Sequence, residues 1–407
     1  MKIITLNCGS SSVKYALFDM PSRKRLSYGI VQRVTLTGSF IEHYDAHNQK
    51  STHRRECPTH AVAIALVMEF LTNPQAGGIK DLAEVNGFGH RVVHGGEKFT
   101  SAVVINDEVI RSVAEFSMLA PLHNPANLAG IRAAMQLAPD VPHVAIFDTA
   151  FLATMPPHAY IYALPYEWYE KYHIRRYGFH GTSHGYVSKR AAAFLGRKPA
   201  AVNLITLHIG NGVSITAVKD GAAYDHSMGF TPLEGAVMGT RCGDIDPAIP
   251  LYVMQQENLS SAEMESILNR NSGLLGITGK YVDRRDILAA MQAGDKRAVL
   301  SFEIECYRLR KYIGAYLAAL GRVDAVVFTA GVGENSPRHR AKICEGLDGL
   351  GIKLAEDRNR QAVGGQEEME INAPDSPVKV LVIPTNEELA FAEEVFSLVG
   401  KGRDNLY

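Results

Sequence analysis

The chain has 407 residues, of which 46% are hydrophobic and 21% charged, and its formal net charge is -1. This length exceeds what one hydrophobic core usually holds, about 250–300 residues, so two domains are expected. The near-zero charge argues against a nucleic-acid binder, whose phosphate contacts call for a basic excess, so local cations must hold any anionic substrate.

The first element is a β-branched strand over residues 3–6. It runs into Asn7-Cys8-Gly9-Ser10-Ser11-Ser12 and out through a second strand over 13–18. A strand, a small polar loop and a strand form a hairpin whose tip can face a ligand. Lys14 stands beside that tip, where it could meet a phosphate; an exposed strand lysine is the plainer explanation. Helical periodicity follows over 59–71 and 125–137, and a buried strand over 144–147 ends at Asp148. A carboxylate there is costly unless it is paired, bound to a metal or used as a cap.

The hairpin design recurs at mid-chain. Shifting the first segment by 201 positions superimposes Ile4, Thr5, Leu6, Gly9 and Ala16 on Ile205, Thr206, Leu207, Gly210 and Ala217. Such self-similarity is what a duplicated domain leaves behind. A helix over 183–195 with Ser183 as its cap precedes this second copy, and a long helix over 298–320 and strands over 325–328 and 378–383 follow it. Thr385 and Glu388 match a capping box. That explains Glu388 structurally and leaves Glu387 as the functional carboxylate.

Three glycine loops can cradle phosphates through backbone N–H groups: 7–12, Gly210-Asn211-Gly212, and Gly331-Val332-Gly333-Glu334-Asn335. There is neither a GxxxxGK[ST] loop nor the kinase VAIK and HRD set, which excludes a Walker-type NTPase and a protein kinase. Two arginines sit in glycine frames, in Gly89-His90-Arg91-Val92-Val93-His94-Gly95-Gly96 and in Met238-Gly239-Thr240-Arg241-Cys242-Gly243. Arginine matches carboxylate and phosphate oxygens as a fork, although salt-bridged loop arginines would read the same way. Tyr177-Gly178-Phe179-His180-Gly181 frames a histidine just before a helix start, a position that favours anions.

Together these segments, with Gly243-Asp244-Ile245-Asp246-Pro247 and Pro384-Thr385-Asn386-Glu387-Glu388, resemble the acetate kinase (acetokinase) family of the acetate and sugar kinase/Hsp70/actin superfamily. The resemblance covers nearly the whole chain. It implies an α/β, two-domain, actin-like ATPase (ribonuclease H-like) fold with a duplicated βββαβαβα core. The expected domains are residues 1–150 plus 386–407, and 151–385. It implies Mg²⁺, or Mn²⁺, held by Asn7 and Glu387. ATP or ADP would be bound by Ser10, Ser12, Lys14, His208, Ile209, Gly210, Asn211, Gly212, Asp283, Arg284, Arg285 and the 331–335 loop. Arg91, Arg241, His180 and Asp148 would be catalytic, and Arg91, Val93, Leu122, Phe179 and Pro232 would bind the acyl substrate. Acetate and acetyl phosphate are the implied ligands, a homodimer is the implied assembly, and neither nucleic acid nor membrane is expected as a partner.

The chain departs from its relatives at Lys280-Tyr281-Val282, where small residues are commoner before Asp283, and at Cys242 and Ala330. A carboxylic acid with a pKa near about 4.3 is already ionised at neutral pH, so a general base would have nothing to remove. Asp148 is therefore read as an organiser of Mg²⁺ and the arginines. A propionate or butyrate kinase is the nearest rival reading, and a non-catalytic nucleotide switch is a more distant one. Five cysteines without a CxxC pair fit a reducing compartment. No apolar run reaches the about 18 residues of a membrane span, and the N-terminal one is too short for a signal peptide, so a cytoplasmic enzyme is expected.

Overall fold

A computed structural model describes residues 1–121, 123–365 and 367–400. The chain divides into two compact units, one made of Met1–Phe151 with the segment that begins at Asn386, the other of Leu152–Thr385.

The first unit opens with antiparallel β1 (Lys2–Cys8), β2 (Ser12–Asp19) and β3 (Lys24–Gln32), extended by β4 (Phe40–Tyr44) and β5 (Lys50–Arg54). β6 (Val85–Val92), β7 (Val103–Val104) and β8 (His143–Phe147) complete a sheet of order β5-β4-β3-β2-β1-β6-β8-β7. β1, β6 and β8 are mutually parallel. Successive side chains point to opposite faces of a sheet, and both faces here are covered. Ile4, Leu6, Val13 and Leu17 pack on the helix His60–Leu71 through Ile64, Val67 and Leu71, while Ile3, Phe18, Val144 and Ile146 pack on Phe391 and Val395 of the helix Glu387–Gly400. That last helix lies against bare backbone. A Cβ on Gly87 would stand 2.7 Å from Val395 Cγ1, and one on Gly89 would stand 3.0 Å from Val395 Cγ2.

The second unit holds β9 (Leu204–Ile209), β10 (Val213–Lys219), β11 (Ala222–His226), β12 (Ala325–Thr329), β13 (Met369–Glu370) and β14 (Lys379–Val382), in the order β11-β10-β9-β12-β14-β13. The run β11-β10-β9-β12-β14 repeats β3-β2-β1-β6-β8 in order and direction. This is the duplicated core of the actin-like fold.

The repeat is one residue out of step beyond its first glycine. Thr5 pairs with Ala16, but Thr206 pairs with Thr216, so Ala217 is not the counterpart of Ala16. The first loop spans Cys8 to Val13 and the second Ile209 to Val213, one residue fewer.

Two expected caps are also corrected. The helix Gly181–Phe194 is preceded by His180 at the cap position, and Ser183 lies inside it. Ser183 Oγ is instead 2.8 Å from His208 Nδ1 and 2.9 Å from Thr385 Oγ1. The capping box of Thr385 and Glu388 does not form. Asn386 Oδ1 accepts the Leu389 N–H at 3.0 Å, and the Thr385 N–H goes to Glu334 Oε1 at 3.0 Å. Asparagine one residue later caps the helix as well as threonine would.

Candidate active site

In the first unit, Asn7, Arg91 and Asp148 meet at the carboxyl ends of β1, β6 and β8, where α/β sheets place their ligands. The Asp148 N–H donates to Val92 O at 3.0 Å, which holds the residue against β6. Arg91 Nε donates to both Asp148 oxygens at 3.1 and 3.0 Å, Nη2 donates to Oδ2 at 2.5 Å, and Nη1 donates to Asn7 Oδ1 at 3.2 Å. Asp148 is 3% exposed, and this fork removes the cost of its burial. Burial opposes the charge of Arg91, but Asp148 outweighs it and Glu387 and Glu388 add to the pull, so the guanidinium pKa stands above its usual value.

Glu387 opens the helix Glu387–Gly400. Burial raises its pKa, Arg91 draws it down, and Asp148 and Glu388 push it up again, to about 7. Lys14 lies opposite Asn7 in the β1–β2 pair, exposed, and also draws Glu387 down. In the intervening turn the Gly9 N–H donates to Ser12 O at 2.8 Å; Ser10 is exposed and Ser12 half-buried. Val93 is buried, its N–H bound to Asn127 Oδ1 at 3.1 Å, and Asn127 Nδ2 donates to Cys8 O at 2.7 Å.

In the second unit, the backbone at Phe179 and His180 is tightly fixed. Gly178 has φ +74, and a Cβ there would stand 2.5 Å from His226 Cδ2. The Phe179 N–H donates to His226 Nε2 at 3.1 Å. Burial, helped by Arg176 and His208, holds the pKa of His226 well below its usual value. The neutral ring therefore carries its proton on Nδ1 and donates it to Thr216 Oγ1 at 2.8 Å. His180 Nδ1 lies 2.8 Å from Ser214 Oγ, which lies 2.7 Å from the Nε2 of buried His184. The His180 ring stacks on His208 with centroids 4.2 Å apart.

The Gly210-Asn211-Gly212 turn faces this pair. A Cβ on Gly212 would stand 3.1 Å from His180 Cε1 and 3.6 Å from Arg241 Nη1. Arg241 Nη1 donates to Pro232 O at 3.2 Å. Burial lowers its pKa, and among the described residues no carboxylate pairs with it. The loop carrying Pro232 and Arg241 is anchored from below. Arg176 Nη1 donates to the carbonyls of His226, Ser227 and Met228, and Nη2 donates to Glu234 Oε1 at 2.6 Å. Asp244 takes the Gly235 N–H at 2.9 Å and the Tyr312 O–H at 2.6 Å.

Residues 2–393 match the model of the acetokinase family. The chain belongs to that family. The acetate kinase of Geobacter metallireducens is 57% identical over 399 residues, 98% of this chain and 95% of that protein. The solved Porphyromonas gingivalis acetate kinase has a TM-score of 0.94 at 45% identity and covers 98% of this chain and 99% of its own. A solved propionate kinase from Francisella tularensis has a TM-score of 0.91 at 40% identity, with 97% and 99% coverage.

The remaining acetokinase motifs lie in the second unit. Asp283 caps the helix Arg284–Gln292 by accepting the Arg285 N–H at 2.8 Å, and Arg285 Nη2 returns to it at 2.6 Å. This pairing lowers the Asp283 pKa to about 2. The Arg285 side chain is 89% exposed, whereas that of Arg284 is turned inward and 7% exposed. Gly331, Val332, Gly333, Glu334 and Asn335 form the short helix that follows β12. The Glu334 carboxylate accepts from the Thr385 N–H at 3.0 Å and from the Thr329 hydroxyl at 3.4 Å, and its carbonyl accepts from Arg340 Nη1 at 3.0 Å. Ile209 is buried in β9, and the exposed Asn211 carbonyl accepts the Gly239 N–H at 3.2 Å. Phe179 is buried and Pro232 half-buried, while Leu122 lies outside the described residues.

Sequence reasoning missed Ser214, His226, Arg176 and Glu305. Glu305 left a readable signal, since it falls on the apolar stripe of the helix Lys296–Leu320 beside Phe302, Cys306 and Leu309. A charge at such a position needs a partner.

Proposed function

We propose that this chain is an acetate kinase that moves the γ-phosphoryl group of Mg·ATP to the carboxylate of acetate, giving acetyl phosphate and ADP, reversibly. The observation that carries the reading is Arg241, a half-buried guanidinium with no carboxylate partner among the described residues, set beside His180 over the Gly210–Gly212 turn. A partly desolvated cation without a counter-charge favours an anion that completes the site.

A carboxylate oxygen of acetate attacks the γ-phosphorus as the bond to the ADP oxygen breaks, and no proton changes hands. Positioning and charge neutralisation then do the catalysis. Arg91, Arg241 and His180 supply positive charge to the transferring group. Asp148 has both oxygens on Arg91, so its task is to aim that guanidinium rather than to act as a base. Backbone N–H groups of the 210–212 and 331–335 loops and the Asp283–Arg285 segment bind the nucleotide, Lys14 and the 7–12 loop bind its phosphates, and Val93, Phe179 and Pro232 bound the methyl group.

The first-unit cluster suits Mg²⁺. Asp148, Glu387 and Glu388 outnumber Arg91, and Glu387 holds a proton near neutrality that a cation would displace. No group of three or more His, Cys, Asp or Glu side chains among the described residues forms a metal cage. Mg²⁺ is commonly held by one or two carboxylates, waters and substrate phosphates, so it needs none. Asn7 and Glu387 would hold it, where it would neutralise phosphate charge. The five cysteines are free thiols, in keeping with a cytoplasmic enzyme. A homodimer is the assembly this reading favours, because the helix Ala248–Glu257 buries none of its residues.

Arg241→Ala should lower kcat about 10²–10³-fold, the effect of removing one electrostatic donor. Its melting temperature should fall little, since the side chain gives up one carbonyl and one thioether contact but no ion pair. Near-normal turnover would remove Arg241 from the site.

A further inference from the structure

Glu305 sits midway along the helix Lys296–Leu320 and is 1% exposed. Its Oε1 accepts from Arg284 Nε at 3.2 Å and Nη2 at 2.7 Å. Its Oε2 lies 3.6 Å from His339 Nε2. Both partners are buried too. Arg284 stands between Asp283 and Arg285. His339 belongs to the helix Pro337–Cys344, directly after the 331–335 segment, and its Nδ1 lies 2.7 Å from Ser336 Oγ. The next residue, Arg340, donates through Nη1 to the carbonyls of Gly333 at 2.8 Å and Glu334 at 3.0 Å. One carboxylate on the long helix is therefore hydrogen-bonded on one side to the 283–285 segment, and on the other it faces the His339 ring, beyond hydrogen-bond reach, in the turn that secures the 331–335 loop.

We propose that Glu305 is a positioning residue for the nucleotide: through Arg284 and His339 it sets the spacing of the two segments that bind ATP, without touching it. This rests on the reading of those segments as nucleotide-binding. A purely structural ion pair would stabilise the fold without favouring one substrate. A spacer between two nucleotide segments acts on ATP and leaves acetate alone.

Glu305→Gln should raise the KM for ATP about tenfold, the size of one network coupling, with the KM for acetate within about twofold of wild type. Breaking a buried pair also costs stability, so the deciding variant is the double replacement Arg284→Met with Glu305→Leu. Apolar residues of similar volume often restore the stability that a buried ion pair supplied. The double variant should melt near the wild-type temperature and still show the raised KM for ATP. A normal KM for ATP in the double variant, or an equal rise for acetate, would overturn the proposal. Asp283→Ala, measured in parallel, separates the two claims. An unchanged KM for ATP there would remove the nucleotide reading of the segment itself, and this proposal with it.

Discussion

Arg91 and Arg241 share a glycine frame in the sequence but not a chemical state. Arg91 is paired with Asp148 and Asn7, whereas Arg241 meets the Pro232 carbonyl and the Met238 sulfur and, among the described residues, no carboxylate. Both states were invisible in one dimension, because the partner of Arg91 lies 57 residues away and the lack of one at Arg241 is a property of the fold. Residue type and glycine spacing made the arginines, His180 and Asp148 legible. The tautomer set by His226 and the anchoring by Arg176 were not, since both depend on loops brought together by tertiary packing. Glu387 was singled out by a capping box that does not form, yet it is the carboxylate whose titration the site perturbs. Its pKa of about 7 lies above the unfolded value of 4.5. The folded chain thus keeps a proton that the unfolded chain has lost, and the associated stability is present below pH 4.5 and lost as pH rises through 7. Glu387→Gln should escape that loss. Relative to wild type it should gain on the order of 2 kcal/mol of stability between pH 5 and pH 8 without Mg²⁺. Urea titrations showing a pH-independent difference would contradict the shift.

At the scale of elements, β-branched runs and helical periodicity located β1, β2, β8, β12 and the helices His60–Leu71 and Lys296–Leu320. The edge strand β5 escaped because it reads Lys-Ser-Thr-His-Arg, largely exposed and without apolar alternation. The hairpin offset escaped because an identity count ignores loop length. The helix Glu387–Gly400 crosses its sheet closely at Gly87 and Gly89, where no side chain holds it off. Gly87→Val should therefore force it outward and cost about 1–3 kcal/mol, as overpacking does. Chemical denaturation measures this, and an unchanged midpoint would mean that the helix has room to shift.

At the scale of the molecule, duplication explains why one chain offers two glycine hairpins and two sets of strand ends. Each copy has kept the fold and specialised its loops, the first toward carboxylates and an arginine, the second toward histidines, glycines and an arginine. The helix Ala248–Glu257 shows Leu251 and Tyr252 each 64% exposed, a face that a second copy would cover. Leu251→Asp with Tyr252→Asp should yield monomers in sedimentation analysis where wild type gives dimers, and a monomeric wild type would contradict the assembly. The substrate is the sharpest question, because both acetate and propionate kinases share this architecture. The direct measurement is acyl phosphate formation from Mg·ATP with acetate, propionate and butyrate, compared as kcat/KM. Acetate should lead, with propionate about ten- to two-hundredfold behind, the discrimination one methylene allows. A preference for propionate or butyrate would contradict acetate as the substrate, and no acyl phosphate from any of the three would contradict the carboxylate kinase itself.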